Sequence, residues 1–169
     1  MSKILIICIE SPLNKSDHFY IHTLLQRKYN IGQDTKLLFL PLNGKDNYNK
    51  QDIEKKIESY KKQSSYDEAF VVYCLDKDNQ LLSHSTEITN KKIQEYCNCK
   101  NYDLVWFCRT IEEVVWEKTV CDSEKIIMSK KFASNKKQTV DNKQLVRKNP
   151  LRKQSNFLLI FDKYLSRKE

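Results

Sequence analysis

The chain has 169 residues, of which 40% are hydrophobic and 31% charged, and 30 Lys and Arg outnumber 22 Asp and Glu for a net charge of +8. This length suits one domain that buries a core without staples, and no apolar run approaches the roughly 20 residues of a membrane span. With only 2 glycines, the loops offer no obvious phosphate cradle for a flavin.

The opening MSKILIICIE carries a lysine, a short apolar run and a glutamate. It is too short for a signal-peptide core and lacks a cleavage region. A first strand in a cytoplasmic protein is expected, and the continuous run suits a strand covered on both faces. The stretch SPLNKSDHFYIHTLLQRKYN opens with turn residues and then places Phe19, Ile21, Leu24, Leu25 and Tyr29 at helical spacing, with Ser16 as the expected cap. TKLLFLPL reads as a second strand closed by Pro41 and the turn-like NGKDNYN. KQDIEKKIESYKKQ repeats Ile53, Ile57 and Tyr60 on one face, the mark of an amphipathic helix. DEAFVVYCLDKD is a third strand, STEITNKKIQEYC a helix and YDLVWFCR a fourth strand. TIEEVVWEK then carries a capping box, with Thr110 at the cap and Glu113 reaching back to a backbone amide. Strands alternating with helices argue for crossover connections. The expected fold is therefore α/β, a Rossmann-like, mostly parallel four-stranded sheet flanked by helices.

From residue 123 the pattern changes to short lysine-rich pieces. Residues 1–124 hold 17 Lys and Arg against 19 Asp and Glu, whereas residues 125–169 hold 13 against 3. We divide the chain into an α/β domain over 1–122 and a basic helical C-terminal extension over 123–169 that packs on it. Within the extension, NKKQTVDNKQLVRKNPLRKQ is the candidate mobile basic segment, and SNFLLIFDKYLSR reads as a closing helix. Lys136, Lys137, Arg147, Lys148, Arg152 and Lys153 are the candidate nucleic-acid contacts, because phosphates attract such cations through counterion release. A solvated linker is the bland alternative.

Several residue types call for a structural reading. Three of the six cysteines lie within or at the ends of apolar strand-like runs, and Cys97 and Cys99 have one residue between them rather than zinc-knuckle spacing. Buried free thiols are expected. His18 and His22 share a helix face without an obvious third ligand, which favours packing over zinc. Trp106 and Trp116 fit core positions.

The carboxylates are placed differently. In open parallel sheets, sites form outside the C-terminal ends of the strands. Glu10 ends the first strand, Asp76 and Asp78 end the third, and Glu112 and Glu113 open the helix after the fourth. If the first and third strands are neighbours, Glu10 and the aspartate pair converge, and such oxygen-rich clusters suit Mg²⁺ or Mn²⁺. Glu10, Asp76, Asp78 and Glu112 are the candidate ligands; a solvated strand-end turn is the alternative.

Glu at the end of a first strand, a nearby S-D opening the first helix and D-x-D after a later strand resemble the Toprim (topoisomerase–primase) domain, shared by overcoming-lysogenization-defect nucleases, small ribosomal-RNA maturases and RloB-like proteins of bacterial defence islands. The family's first motif usually reads E-G-x-S-D. Here IESPLNKSDHFY keeps Glu10, Ser16 and Asp17 around an insertion and lacks the glycine; LDKD supplies the second motif, and TIEEVVW is similar to the acidic, aromatic helix start of RloB-like members. The similarity spans roughly residues 3–118. It implies metal-dependent phosphodiester cleavage of DNA or RNA in a phage-defence or mobile-element setting. Asp76 and Asp78 would hold Mg²⁺ or Mn²⁺, Glu10 would act as general acid/base or further ligand, and Glu112 or Glu113 would complete the shell. A second reading is a non-catalytic nucleic-acid-binding or regulatory module that partners a larger protein. A receiver-like or flavodoxin-like domain is the third.

Overall fold

β1 (Lys3–Ile9) is apolar along its length because both of its faces are covered: Leu5, Ile7 and Ile9 enter one core cluster, and Ile4, Ile6 and Cys8 the other. The structure is a computed structural model that describes residues 1–63, 65–78 and 83–169. β1 pairs in parallel with β3 (Thr35–Pro41) on one side and with β4 (Glu68–Asp76) on the other. β5 (Asp103–Cys108) extends the parallel sheet beyond β4, Asp76 standing opposite Phe107.

The main sheet has five strands in the order β3-β1-β4-β5-β6, rather than the four expected. The additional strand, β6 (Gln154–Ser155), comes from the basic C-terminal stretch and runs antiparallel to β5. Two residues give no readable alternation. The next residue, Asn156, extends the pairing with its side chain: its Oδ1 accepts from Trp106 N at 2.8 Å and its Nδ2 donates to Leu104 O at 2.9 Å. An amide side chain thus takes the place of a longer strand on the β5 edge.

The helices cover both faces. α1 (Ser16–Lys28), α4 (Ile111–Trp116), α5 (Lys125–Ser134), α6 (Asn142–Leu145) and α7 (Phe157–Phe161) supply the cluster containing Leu5. α2 (Gln51–Gln63) and α3 (His84–Lys100) cover the opposite face through Ile53, Ile57, Ile93 and Cys97. The chain steps from β1 to β3 on one side and then back across to β4 on the other. Connections of one hand that reverse direction fall on opposite faces, and the reversal opens a crevice at the C-terminal ends of β1 and β4. A two-stranded antiparallel clip joins β2 (Tyr29–Asn30) to β7 (Ser166–Arg167). Among the described residues no helix is long and apolar enough to cross a membrane.

The segment expected to be mobile is fastened at several points. Arg27 donates to the carbonyls of Gln138 at 2.7 Å and Phe132 at 2.6 Å, Lys28 to that of Val140 at 2.7 Å, and Arg147 N to Ser155 O at 3.0 Å. Val140, Leu145, Phe157, Leu158 and Phe161 are buried with residues of β1 and β5, so both sides of residue 122 share one core. The expected closing helix is shorter than the sequence suggests, since α7 spans five residues before the chain turns toward β7. Ser16 is the first residue of α1 rather than its cap; Lys15 holds the cap position and makes no side-chain cap bond.

Phe157 is fully buried between β5 and the C-terminal helices, whereas Leu159, two residues on, is 38% exposed. Phe157→Ala is expected to cost about 3–5 kcal/mol and Leu159→Ala less than about 1 kcal/mol, read by urea unfolding. Equal effects would mean that this segment does not belong to the core.

Candidate active site

Glu10 is the first residue beyond β1, and its carbonyl accepts from Gly44 N at 3.0 Å. The loop after β3 is thereby tied to the end of β1. Gly44 has φ of 120°, where a side chain would be strained; Asn47 braces the turn by donating to the Leu42 and Asn43 carbonyls at 2.9 and 2.8 Å. The residue after the glycine, Lys45, sends its ammonium under the end of β4. There it donates to the Asp76 carbonyl at 2.9 Å and pairs with the Asp78 carboxylate.

The aspartate pair is pinned to the chain that leaves β5. Lys77 N donates to Phe107 O and Asp78 N to Arg109 O, both at 2.8 Å, while Asp76 Oδ1 accepts from Ile111 N at 2.8 Å. Asp78 adopts a left-handed φ of 56°, which aspartate tolerates better than most residues. Asp17, in the first turn of α1, accepts from Ser11 N at 2.9 Å and so closes the inserted loop over the crevice. Glu112 is 1% exposed at the start of α4.

These carboxyls act on one another. Burial first, and then the charges of Asp17 and Asp78, push Glu10 up to about 7, against the pull of Lys45 and Lys125. Burial, followed by Asp17, Glu112, Glu10 and Asp78, holds Asp76 well above the carboxylate range. The Asp76 residue keeps some exposed surface, but its carboxyl is enclosed. Burial also raises Glu112, although its own backbone amide and Lys125 favour its charge. Burial disfavours the Lys125 ammonium, yet the bond to Asp122 and the charges of Glu112, Asp122 and Asp76 raise it above an ordinary lysine. Two carboxyl oxygens of this group, Glu10 Oε2 and Glu112 Oε2, are buried with no hydrogen-bond partner among the described residues, as is the neighbouring Ser11 Oγ. Buried polar atoms without partners are rare and costly.

The structure therefore gathers Glu10, Asp76, Asp78 and Glu112, and adds Asp17, Lys45 and Lys125. Lys45 follows the NG turn after the second predicted strand, which was the available signal; nothing local marks Lys125. Among the described residues, no group of three or more His, Cys, Asp or Glu side chains is arranged to hold a metal ion as the side chains lie. Asp17, Asp76 and Asp78 each hold a partner of their own.

Glu113 stands apart from the group. Only half of its capping box forms: Thr110 Oγ1 accepts from Glu113 N at 3.3 Å, but the carboxylate turns to Thr119 Oγ1 at 3.2 Å and Arg152 Nε at 3.0 Å instead of the Thr110 amide. Arg152, expected to face nucleic acid, is thus committed within the protein. Arg147, Lys148 and Lys153 lie on the strap beside the end of β5, where Cys108 Sγ donates to Pro150 O and Lys153 N to Cys108 O. Lys136 and Lys137 follow α5, about 15 Å of helix from Lys125. His18 and His22 both pack edge-on against Phe39, with ring centroids at 4.6 and 5.9 Å, in keeping with a packing role. All six cysteines are free thiols, of which Cys99 and Cys121 are exposed. Trp106 is buried, and Trp116 Nε1 donates to Tyr20 OH at 2.9 Å.

No family model, curated protein or solved structure matches the chain.

Because Glu10 rises from 4.5 to about 7 on folding, the folded state binds its proton more tightly. Glu10 then costs nothing below pH 4.5, and its penalty grows as pH rises through 7. In buffer with chelator, Glu10→Gln is expected to stabilise the protein at pH 8 by up to about 3 kcal/mol and to leave it unchanged at pH 4.5, measured by urea unfolding. A variant equally stable to wild type at pH 8 would place Glu10 outside the repulsive cluster.

Proposed function

We propose that the chain is a Toprim-like, Mg²⁺- or Mn²⁺-dependent phosphodiesterase acting on nucleic acid, with its site in the crevice between β1 and β4. The observation that carries this reading is the pair of partnerless buried oxygens, Glu10 Oε2 and Glu112 Oε2, within a group of mutually repelling carboxyls. A divalent cation would answer both deficits, and hard oxygen donors of this kind favour Mg²⁺ or Mn²⁺. Glu10, Asp76, Asp78 and Glu112 would hold it. A cation held there would supply neutralisation of phosphate charge and stabilisation of the leaving oxygen.

The remaining chemistry belongs to the chain. Glu10 serves either as a further ligand or as the general acid/base that exchanges a proton with the attacking water or the leaving oxygen. Lys125 offsets the negative field on the Glu112 side. The side chains of Arg147, Lys148 and Lys153, which make no hydrogen bond or ion pair among the described residues, contact the phosphates flanking the scissile one. Lys136 and Lys137 serve a longer strand. Charge of one sign near an anionic substrate's path also speeds its arrival.

A non-catalytic nucleic-acid-binding or regulatory module is favoured by one observation: Lys45 already neutralises Asp78, as a resident cation would in a site that had given up metal.

Titration of Mn²⁺ by calorimetry, with parallel incubation against labelled single- and double-stranded DNA and RNA, separates the two. Metal-dependent cleavage is expected, with Asp76→Asn weakening Mn²⁺ binding at least about tenfold through loss of a ligand charge. Nucleic-acid binding without metal uptake or cleavage would overturn the enzyme reading in favour of the module.

A further inference from the structure

We propose that Lys45 is a displaceable counter-cation built into the carboxylate crevice, one that competes with a divalent metal for Asp78 and so sets the affinity of the site. This rests on the metal reading above and concerns its control.

The lysine is placed unlike a surface charge. Its side chain is 10% exposed, against 44% for Asp78, so most of its four-carbon stem and ammonium has left water. A cation is tolerated there only while paired. Both of its partners belong to the metal-ligand candidates: the Asp78 carboxylate and the Asp76 carbonyl at 2.9 Å. Its position is fixed from behind, because Gly44 N, one residue earlier, is held by the Glu10 carbonyl at 3.0 Å.

The lysine serves only one side of the group. Its charge also lowers Glu10, whereas Lys125 acts on Glu112, Asp76 and Glu10. Even with both lysines in place, Glu10 Oε2 and Glu112 Oε2 lack partners among the described residues. The crevice is therefore partly compensated: Asp78 is satisfied and the opposite oxygens are not. A divalent cation that used Asp78 would have to displace the ammonium, while one that left the pair intact would face its repulsion. In either case Lys45 weakens metal binding. An ammonium on a flexible stem, with three rotatable donors, is suited to release one oxygen while keeping the Asp76 carbonyl.

The test titrates Mn²⁺ alone into the full chain by calorimetry, with circular dichroism and thermal unfolding as checks on folding. Lys45→Met is expected to bind Mn²⁺ about tenfold or more tightly than wild type, since it removes a unit charge from beside the site. Lys45→Arg should stay near wild type. In an Asp78→Asn background, Lys45→Met should gain less than in wild type, because the competition for the Asp78 oxygen is gone and only the repulsion of the lysine remains. In chelator, Lys45→Met should melt below wild type and recover more than wild type does when Mn²⁺ is added. If Lys45→Met does not fold, Lys45→Gln removes the charge while keeping a donor for the Asp76 carbonyl, and must show the same gain.

Unchanged or weaker binding in the folded charge-removing variant, with wild type binding normally, would overturn the role of Lys45 and leave the metal reading standing. No Mn²⁺ uptake by either folded protein at millimolar concentration would overturn both.

Discussion

The parallel ladder between β1 and β4 sets Ile9 opposite Cys74, so the two strands leave the sheet side by side, about 4.8 Å apart. Glu10 follows on one and Asp76 ends the other. The rest of the crevice is built from this juxtaposition. β3 on the far side of β1 brings the Gly44–Lys45 turn across the gap, and β5 beyond β4 brings Ile111 N to Asp76 and Arg109 O to Asp78. If β1 were an edge strand, Glu10 would be a solvated strand end and Asp76 an ordinary turn residue. The reversal of connection direction at β1 is what converts two unremarkable carboxylates into a mutually perturbed pair.

That arrangement is maintained against its own electrostatics. Burial and like charge raise Glu10, Asp76 and Glu112 together, which means that the folded chain resists full ionisation of the group. The resistance is borne by the apolar layers beneath it. Leu5, Ile7 and Ile9 pack on one side of β1 and Ile4, Ile6 and Cys8 on the other, all but fully buried. A sheet covered on both faces, with its ends tied by backbone bonds, holds side chains where a loop would let them separate. This is the physical sense in which a rigid framework permits an unstable group of charges.

What could be read from the sequence follows from how local each signal is. The strands β1, β3, β4 and β5 announce themselves as apolar runs, and Ile53 and Ile57 mark the buried stripe of α2. The strand-end positions of Glu10 and Asp76 were legible for the same reason, whereas their adjacency was a matter of strand order, which no run of residues encodes. β6 escaped because two residues carry no period and because Asn156 substitutes a side-chain amide for backbone. Lys45 had only the preceding NG turn to mark it and Lys125 nothing local, since one of many lysines becomes special only through the fold that buries it. Glu113 misled in the opposite way: its spacing from Thr110 matches a capping box, but Arg152, 39 residues on, offers its carboxylate a charged partner, and a charge-assisted bond outcompetes a neutral amide.

The basic tail and the acidic crevice could have cancelled each other, and the pairings argue that they do not. Of Lys136, Lys137, Arg147, Lys148, Arg152 and Lys153, Arg152 alone forms a side-chain ion pair among the described residues, and its partner is Glu113 rather than a member of the crevice group. Of the other tail pairings, Lys163 with Asp103 fastens the C-terminus to β5, Lys125 pairs with Asp122, and Arg167 with Asp162 lies within the tail. Compensation within the crevice comes instead from Lys45, which lies outside the tail, and from Lys125 at the tail's first position. A chain that needed its tail only to balance the acids would direct those cations inward. Most of them are exposed, while the crevice carboxyls stay under-compensated. On the proposed reading, a phosphodiester with a bound divalent cation would answer both charges at once.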